Sequence, residues 1–414
     1  MGYSLGFWLE DDNKTSLSSN DKAKNKVELH INYWSLEAKQ ACNYLDIGLR
    51  LELGKIESLK SINFYFPFLM EKENYMDNLG QVICSTDALT ELIFNERLKS
   101  SFEGVNYKDI NFDGKEGETL RVYTELEIGD DPSNIKFIPD SENQCTRIKI
   151  PIEIINSTPI FWEKRNEQQG SIFTKNLSSF KRIPHETKKI YHYFRFRLKL
   201  TSEHVRILSQ NYKPQDRLLV SKFEKIEIID FRLNELRDLP SSICNCLNKN
   251  FILEQIHFFL IRDIHDELKL SHTKYKRCRL LEKEVWTPYL KFKDEEAILP
   301  TQMLIYHFQK NTDSLKHIDR FNAFAKFVRV KITKITLLAF IVSVVCLGSL
   351  GSLLASFVEA CIWPELKRIF ELYVIPLYLE FLLMICIVYI SLRPLKYLVM
   401  KVRKVIVYIY CKFK

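Results

Sequence analysis

The chain lacks the short motifs that announce a familiar chemistry. There is no G-x-x-x-x-G-K-[ST] phosphate loop, no G-x-G-x-x-G turn, no G-x-S-x-G elbow and no H-E-x-x-H pair, so an enzyme reading finds no known motif to stand on. Glycine is scarce, 12 residues in 414, which beside 28 phenylalanines argues for packed sheets with few sharp turns. The ten cysteines are scattered, and only Cys244 and Cys246 lie close, as C-x-C rather than C-x-x-C. That spacing leaves neither a disulfide framework nor a zinc site and fits a reducing compartment. No cofactor and no metal is expected. From Met1 to Asp12 no basic region precedes an apolar run, so no secretion signal is expected, and Leu5-Gly6 stands where a lipidation signal wants a small hydroxyl residue.

Charge of one sign is also missing over most of the chain. Residues 335–414 hold nine basic and four acidic side chains of a net +8, leaving 51 basic against 48 acidic upstream. A balance that close excludes a nucleic-acid coat protein. The excess gathers around two apolar runs. The first goes from Ile335 to Val358 after Lys334, the second from Leu372 to Leu392, broken by Glu380. A bilayer core takes about 20 helical residues, so each run is long enough to cross it. Lys316, Arg320, Lys326, Arg329, Lys331 and Lys334 precede the first run, and Arg393, Lys396, Lys401, Arg403, Lys404, Lys412 and Lys414 follow the second. Basic flanks stay on the cytoplasmic side, which predicts a multi-pass inner-membrane hairpin (335–392), both termini cytoplasmic, and a basic cytoplasmic tail (393–414). Two core helices of a soluble protein are the alternative.

The remainder reads as α+β: a β-rich cytoplasmic region of sandwich-like sheets with a few helices. Period-two patterns mark Val27–Trp34, Tyr44–Leu53, Ser61–Phe68, Leu120–Ile128, Thr146–Ile155, Tyr191–Leu200, Leu218–Leu233 and Phe251–Ile261. Ser85-Thr86-Asp87 opens a helix reaching Lys99-Ser100, and Ser202 starts a shorter one to about Gln210. The polar stretch 157–189 divides a β-rich domain (1–156) from a second domain or half (190–312). Leu315, Ile318, Phe321, Ala325 and Val328 fall near one helical face, which predicts a stalk helix over 313–334 running into the first span.

Candidate sites are few. On Tyr191–Leu200 the even positions make a core face, while Tyr191, Tyr193, Arg195, Arg197 and Lys199 make a face of aromatics and cations. Lys181 and Arg182 lie shortly before it. Guanidinium forks pair phosphates and rings stack on bases, so such a face suits a cyclic nucleotide or short oligonucleotide. A solvated face paired to carboxylates of neighbouring strands is the alternative. Lys274–Arg279 reads as an extension of that surface or as a charged edge strand. Arg262–Glu267, with His272 following, is the densest titratable cluster and reads as a solvated turn after a strand, with metal binding or acid–base chemistry on a loop as the alternative. In the first span Gly348, Gly351, Ser352, Ala355 and Ser356 let helix backbones approach. In the second, Glu380 follows Pro376 by one turn, and a carboxylate at membrane depth marks a pathway by default.

A β-rich cytoplasmic module ahead of a small-residue hairpin with a buried acid resembles, as an arrangement over Asp313–Arg393 with Tyr191–Leu200 as the ligand surface, the membrane effectors of bacterial antiphage defence systems. These include two-helix effectors gated by cyclic nucleotides and the effector of the Hailong system. The resemblance implies a homo-oligomer whose hairpins form an ion-conducting pore or disrupt the membrane, gated by a nucleotide signal from a partner synthase. It implies no enzyme activity. A scaffold held at the membrane by a passive hairpin is the alternative.

Overall fold

Strands that alternate apolar with polar residues present two chemically distinct faces, and here both faces are covered. The computed structural model describes residues 3–11, 25–36, 42–53, 59–156, 189–214, 223–247, 251–290, 302–312, 316–332, 334–364, 367 and 384. These fall in two compact units, residues 1–331 and 332–414.

The first unit is built on a ten-stranded sheet. Its order is Arg277–Leu280 (β16), Met303–Asn311 (β17), Phe251–Asp263 (β14), Asn25–Leu36 (β2), Cys42–Glu52 (β3), Lys189–Leu200 (β11), Glu118–Tyr123 (β8), Tyr107–Phe112 (β7) and Leu98–Glu103 (β6), with Tyr75–Met76 (β5) also pairing β11. β14 runs parallel to β2 and β8 parallel to β11; the other pairings are antiparallel. Two four-stranded sheets complete the β architecture. One has the order Gly6–Asp11 (β1), Leu59–Phe66 (β4), Cys145–Pro151 (β10) and Lys136–Asp140 (β9). The other has Ser209–Tyr212 (β12), Glu224–Leu233 (β13), Phe321–Val330 (β18) and Glu267–Ser271 (β15).

The small sheets meet where Leu5 bridges Leu233. Asn234 makes the seam. Its backbone sits at φ 56°, in the left-handed region that asparagine tolerates, and its side-chain amide accepts from Phe7 N at 2.8 Å and donates to Phe7 O at 3.0 Å. Phe7, Ile62, Phe64 and Ile148 from one small sheet, and Phe231, Phe321 and Phe327 from the other, share one core with Leu29, Ile31, Ile47, Leu49, Phe194, Phe196 and Phe258 of the large sheet. The opposite face of the large sheet is covered at one end by the helices Leu79–Ile83, Asp87–Phe94 and Lys283–Tyr289, around Trp34, Leu89, Trp286 and Tyr289.

Several expectations change. The stretch 157–189 does not separate two domains, because β11 lies between β3 and β8, and β14 from the later half pairs β2 from the earlier. Among the described residues of 313–334 there is no stalk helix. Phe321–Val330 is a strand in antiparallel register with β13, and its period-two set Phe321, Ala323, Ala325 and Phe327 is buried. The same residues satisfy a helical spacing, and the waiting edge of β13 decides between the two. The helix from Asp87 is capped by Thr86, whose hydroxyl accepts from Leu89 N, and ends at Phe94 rather than near Ser100 because Asn95 adopts φ 53°. The second helix, Ser202–Leu208, opens on a Thr201–His204 capping box.

In the second unit Lys334–Ile362 forms one apolar helical stretch of 29 residues, long and apolar enough to cross a membrane. It is α-helical to Phe357 and closes in a π-helical turn, Val358–Ile362. The second run apart from Met384, including Pro376 and Glu380, and the tail 393–414 lie outside the described residues.

The covered polar face demands complete pairing. Asp46, fully buried, receives Arg197 Nε at 2.6 Å and Nη2 at 3.0 Å, Trp34 Nε1 at 2.8 Å and the Tyr289 hydroxyl at 2.6 Å. Burial alone would raise its pKa, and the Arg197 guanidinium overrides this and lowers it. Removing one member of such a pair strands the other in a dry interior. Asp46→Ala and Arg197→Met are each expected to cost about 3–5 kcal/mol, and the double variant less than their sum. Unfolding midpoints of the four proteins measure this coupling.

His192 supplies a pH test. It is buried and bonded to the Tyr123 hydroxyl at 2.9 Å. Burial, then the Arg121 guanidinium, pushes its imidazole down from 6.5 to about 4. A group with a depressed cationic pKa favours folding fully above the unfolded value, and that stability is lost as pH falls from 6.5 toward 4. At pH 5 the loss is about 2 kcal/mol. His192→Gln should therefore narrow the difference between melting temperatures at pH 7 and pH 5.

Candidate ligand cavity

Alternation puts Glu28, His30 and Asn32 on the helix-covered side of β2, opposite Val27, Leu29 and Ile31 in the main core. Register then assembles a site. His30 faces Gly48 on β3 and His257 on β14, Glu28 faces Arg50, and Gly48 faces Arg195 on β11. A cavity of about 270 Å³ opens over these rows, with Leu92, Ile93 and Phe94 of one helix and Trp286 of another among its walls. Arg50, Arg195, Lys276, Arg277 and Arg279 also line it, against only Glu28 and Glu96 as acids.

The polar groups form a chain. Glu28 Oε1 lies 2.9 Å from His30 Nε2 and 3.0 Å from His257 Nε2, and its other oxygen is 3.6 Å from Arg50. His30 Nδ1 meets the Tyr193 hydroxyl at 3.3 Å, and that hydroxyl accepts from Arg195 Nη1 at 2.8 Å. His257 Nδ1 meets His307 Nε2 at 2.9 Å. Gly48 is required here, since a Cβ at that position would lie 2.6 Å from the Tyr193 oxygen and close the route to His30.

Burial works to raise the Glu28 carboxyl, but hydrogen bonds from His257 and His30 outweigh it and hold it below the usual carboxylate range. Burial pushes the His30 imidazole down against the pull of Glu28. His307 is pushed down to about 3 by burial, then by His257 and the Lys276 and Arg277 cations. The carboxylate is ionised and these two imidazoles neutral near pH 7. Glu28, His30 and His257 are the residues able to hold a metal, their ligand atoms all within 4.8 Å of one another.

The cavity also gathers unmet hydrogen-bonding capacity. Asn32 Oδ1, Arg50 Nε, Glu96 Oε2, Arg195 Nε and Trp286 Nε1 are buried without a partner, and all five residues line it. Each such atom costs about 1–3 kcal/mol.

The cation–aromatic face expected on β11 is not an open surface. Tyr193, Arg195 and Arg197 are buried beneath the helical cover. Arg197 is committed to Asp46, and Arg195 reaches the cavity wall. Tyr191 is half-buried, with the Arg50 guanidinium 4.1 Å above its ring, and Lys199 is partly buried. Lys181 and Arg182 lie outside the described residues. Within the Lys274–Arg279 run, Arg277 and Arg279 sit on edge strand β16 and, with Lys276, line the cavity. The Arg262–Glu267 run is no solvated turn at its start: Arg262 is buried between Glu227 and Asp266. Gly348, Gly351, Ser352, Ala355 and Ser356 are exposed on the apolar helix. Glu28, His30, His257 and His307 escaped the sequence reading. The E-x-H spacing on an alternating strand was the only local signal, because His257 joins them through a parallel pairing distant in sequence.

No protein-family model and no curated protein sequence matches this chain. Among solved structures, the Fcho1 Mu homology domain of Danio rerio with bound Eps15 peptide aligns over 80% of this chain and 81% of its own, at 7% identity and a TM-score of 0.17. A likeness that slight carries no argument about fold or function.

Proposed function

We propose that the β-rich unit is a receptor for a small phosphate-bearing ligand and that the protein is a membrane effector controlled by it. The observation that carries this reading is the convergence of five cations and several unpartnered buried polar atoms on one cavity with aromatic walls. Guanidinium groups pair phosphate oxygens in two-point fashion, and the Phe94 and Trp286 walls offer apolar surface to a base. A volume of about 270 Å³ sits at the low end of small-ligand sites, so the ligand is of mononucleotide scale rather than an extended oligonucleotide.

In this reading the apolar helix Lys334–Ile362 and the second run around Glu380 form the responding element, which assembles in the inner membrane and conducts cations past Glu380. The carboxylate supports that assignment because an acid at membrane depth faces protein or water by default. The competing reading is a scaffold with a passive anchor, and it differs in what the membrane segment must be.

Full-length protein in detergent should bind nucleoside mono- or cyclic phosphates by calorimetry. Arg195→Met and Arg277→Ala should each weaken binding about tenfold or more, the scale of one charge-assisted pair. Wild-type affinity in both variants would remove the cavity from the reading. Expression of the ligand-activated form should depolarise cells, with Glu380→Gln altering conductance. Preserved function after replacing 335–392 by an unrelated two-helix anchor would favour the scaffold.

A further inference from the structure

We infer that Glu28, His30 and His257 form a binding site for one divalent transition-metal ion of the zinc class. The site goes beyond the phosphate receptor proposed above and stands or falls independently of it. Two imidazoles and a carboxylate are a donor set suited to zinc and its first-row neighbours, with remaining coordination positions left for water or a ligand. Both imidazoles turn Nε2 toward the same Glu28 oxygen, at 2.9 and 3.0 Å, with Gln255 Oε1 3.1 Å from His257 Nε2; opening these contacts to about 3.4 Å, the edge of a tetrahedron, seats an ion roughly 2.1 Å from each ligand atom.

The outer partners fit as well. A histidine that binds a metal through Nε2 donates its Nδ1 proton to a fixed acceptor, and that acceptor orients the ring. Here His30 Nδ1 has the Tyr193 oxygen and His257 Nδ1 has His307 Nε2. Gly48 keeps the first contact open. All three ligands stand on β2 and β14, paired in register within the large sheet, so the donors are placed by rigid backbone rather than by a loop.

The neighbouring cations bear on the charge balance. Arg50 and Arg195 oppose a bare dication, and Glu28 neutralises only half of its charge. The ion is therefore best held when the cavity also carries an anion, whose oxygen takes an open coordination position while the guanidiniums take its remaining charge. Zinc and inorganic phosphate should each strengthen the binding of the other.

The test uses full-length protein in detergent, stripped with a chelator and dialysed. Titration with Co²⁺ should give the visible d–d absorption of a nitrogen- and oxygen-bound ion, saturating at one equivalent and displaced by Zn²⁺. Glu28→Gln and His257→Gln should abolish the band, and His307→Gln, which leaves all three ligands in place, should weaken binding about 10–100-fold. Melting temperature should rise on adding Zn²⁺ to wild-type protein and stay unchanged in His257→Gln, provided that variant keeps the wild-type circular dichroism. The absence of any Co²⁺ band and of any Zn²⁺ stabilisation in wild-type protein would overturn the site without touching the phosphate reading. So would binding unaffected by Glu28→Gln and His257→Gln. Loss of phosphate binding with retained metal binding would instead remove the receptor and leave the metal site.

Discussion

A sheet covered on both faces must pair every polar group it hides, and the Asp46–Arg197 pair meets that demand at the centre of this protein. Four donor atoms from three separate stretches of chain converge on one carboxylate. Arg197 also donates to the Tyr289 carbonyl at 2.8 Å, which ties the helix Lys283–Tyr289 to the sheet. That helix carries Trp286, a wall of the cavity. The position of the cover, and so the existence of an enclosed space over β2, β3 and β14, depends on a buried ion pair that contributes little net stability. Its contribution is placement.

The two ends of the covered face are used differently. At the Asp46 end four donors meet one carboxylate, and the Tyr44 and Tyr289 rings lie over the Arg197 guanidinium. At the Glu28 end the balance fails: guanidinium, amide and indole atoms are left unmet beside a void. Native interiors seldom tolerate such a group of orphans. A change from complete to incomplete pairing within about four residues along a single strand separates framework from site.

Local physics was legible in the chain; long-range pairing was not. Tyr191–Leu200 could be assigned as a strand with a core face because alternation is a local property, and Phe194, Phe196, Leu198 and Leu200 occupy the main core. Alternation cannot say whether its polar face meets water or a second layer, so Arg195 and Arg197 read as surface groups although both are buried. Phe321–Val330 carried both a period of two and a helical spacing, and only its partner β13 resolves them. His257 could not be joined to Glu28 and His30, because nothing local specifies that β14 lies parallel beside β2. The apolar run from Ile335 needed no partner to be read, and it is a helix.

The parallel pairing of β14 with β2 has a temporal side. His257 follows Glu28 by about 230 residues, which at a synthesis rate of about 5–20 residues per second leaves β2 without that neighbour for about 10–45 s. Through that interval the nascent chain presents a long strand edge, the kind of surface that aggregates or recruits chaperones. β17 then completes the site, β18 closes its own sheet, and the apolar helix begins at Lys334. The order of the sequence places the last strands of the β-rich unit immediately before the apolar helix, so the chain can finish the one before it must commit the other.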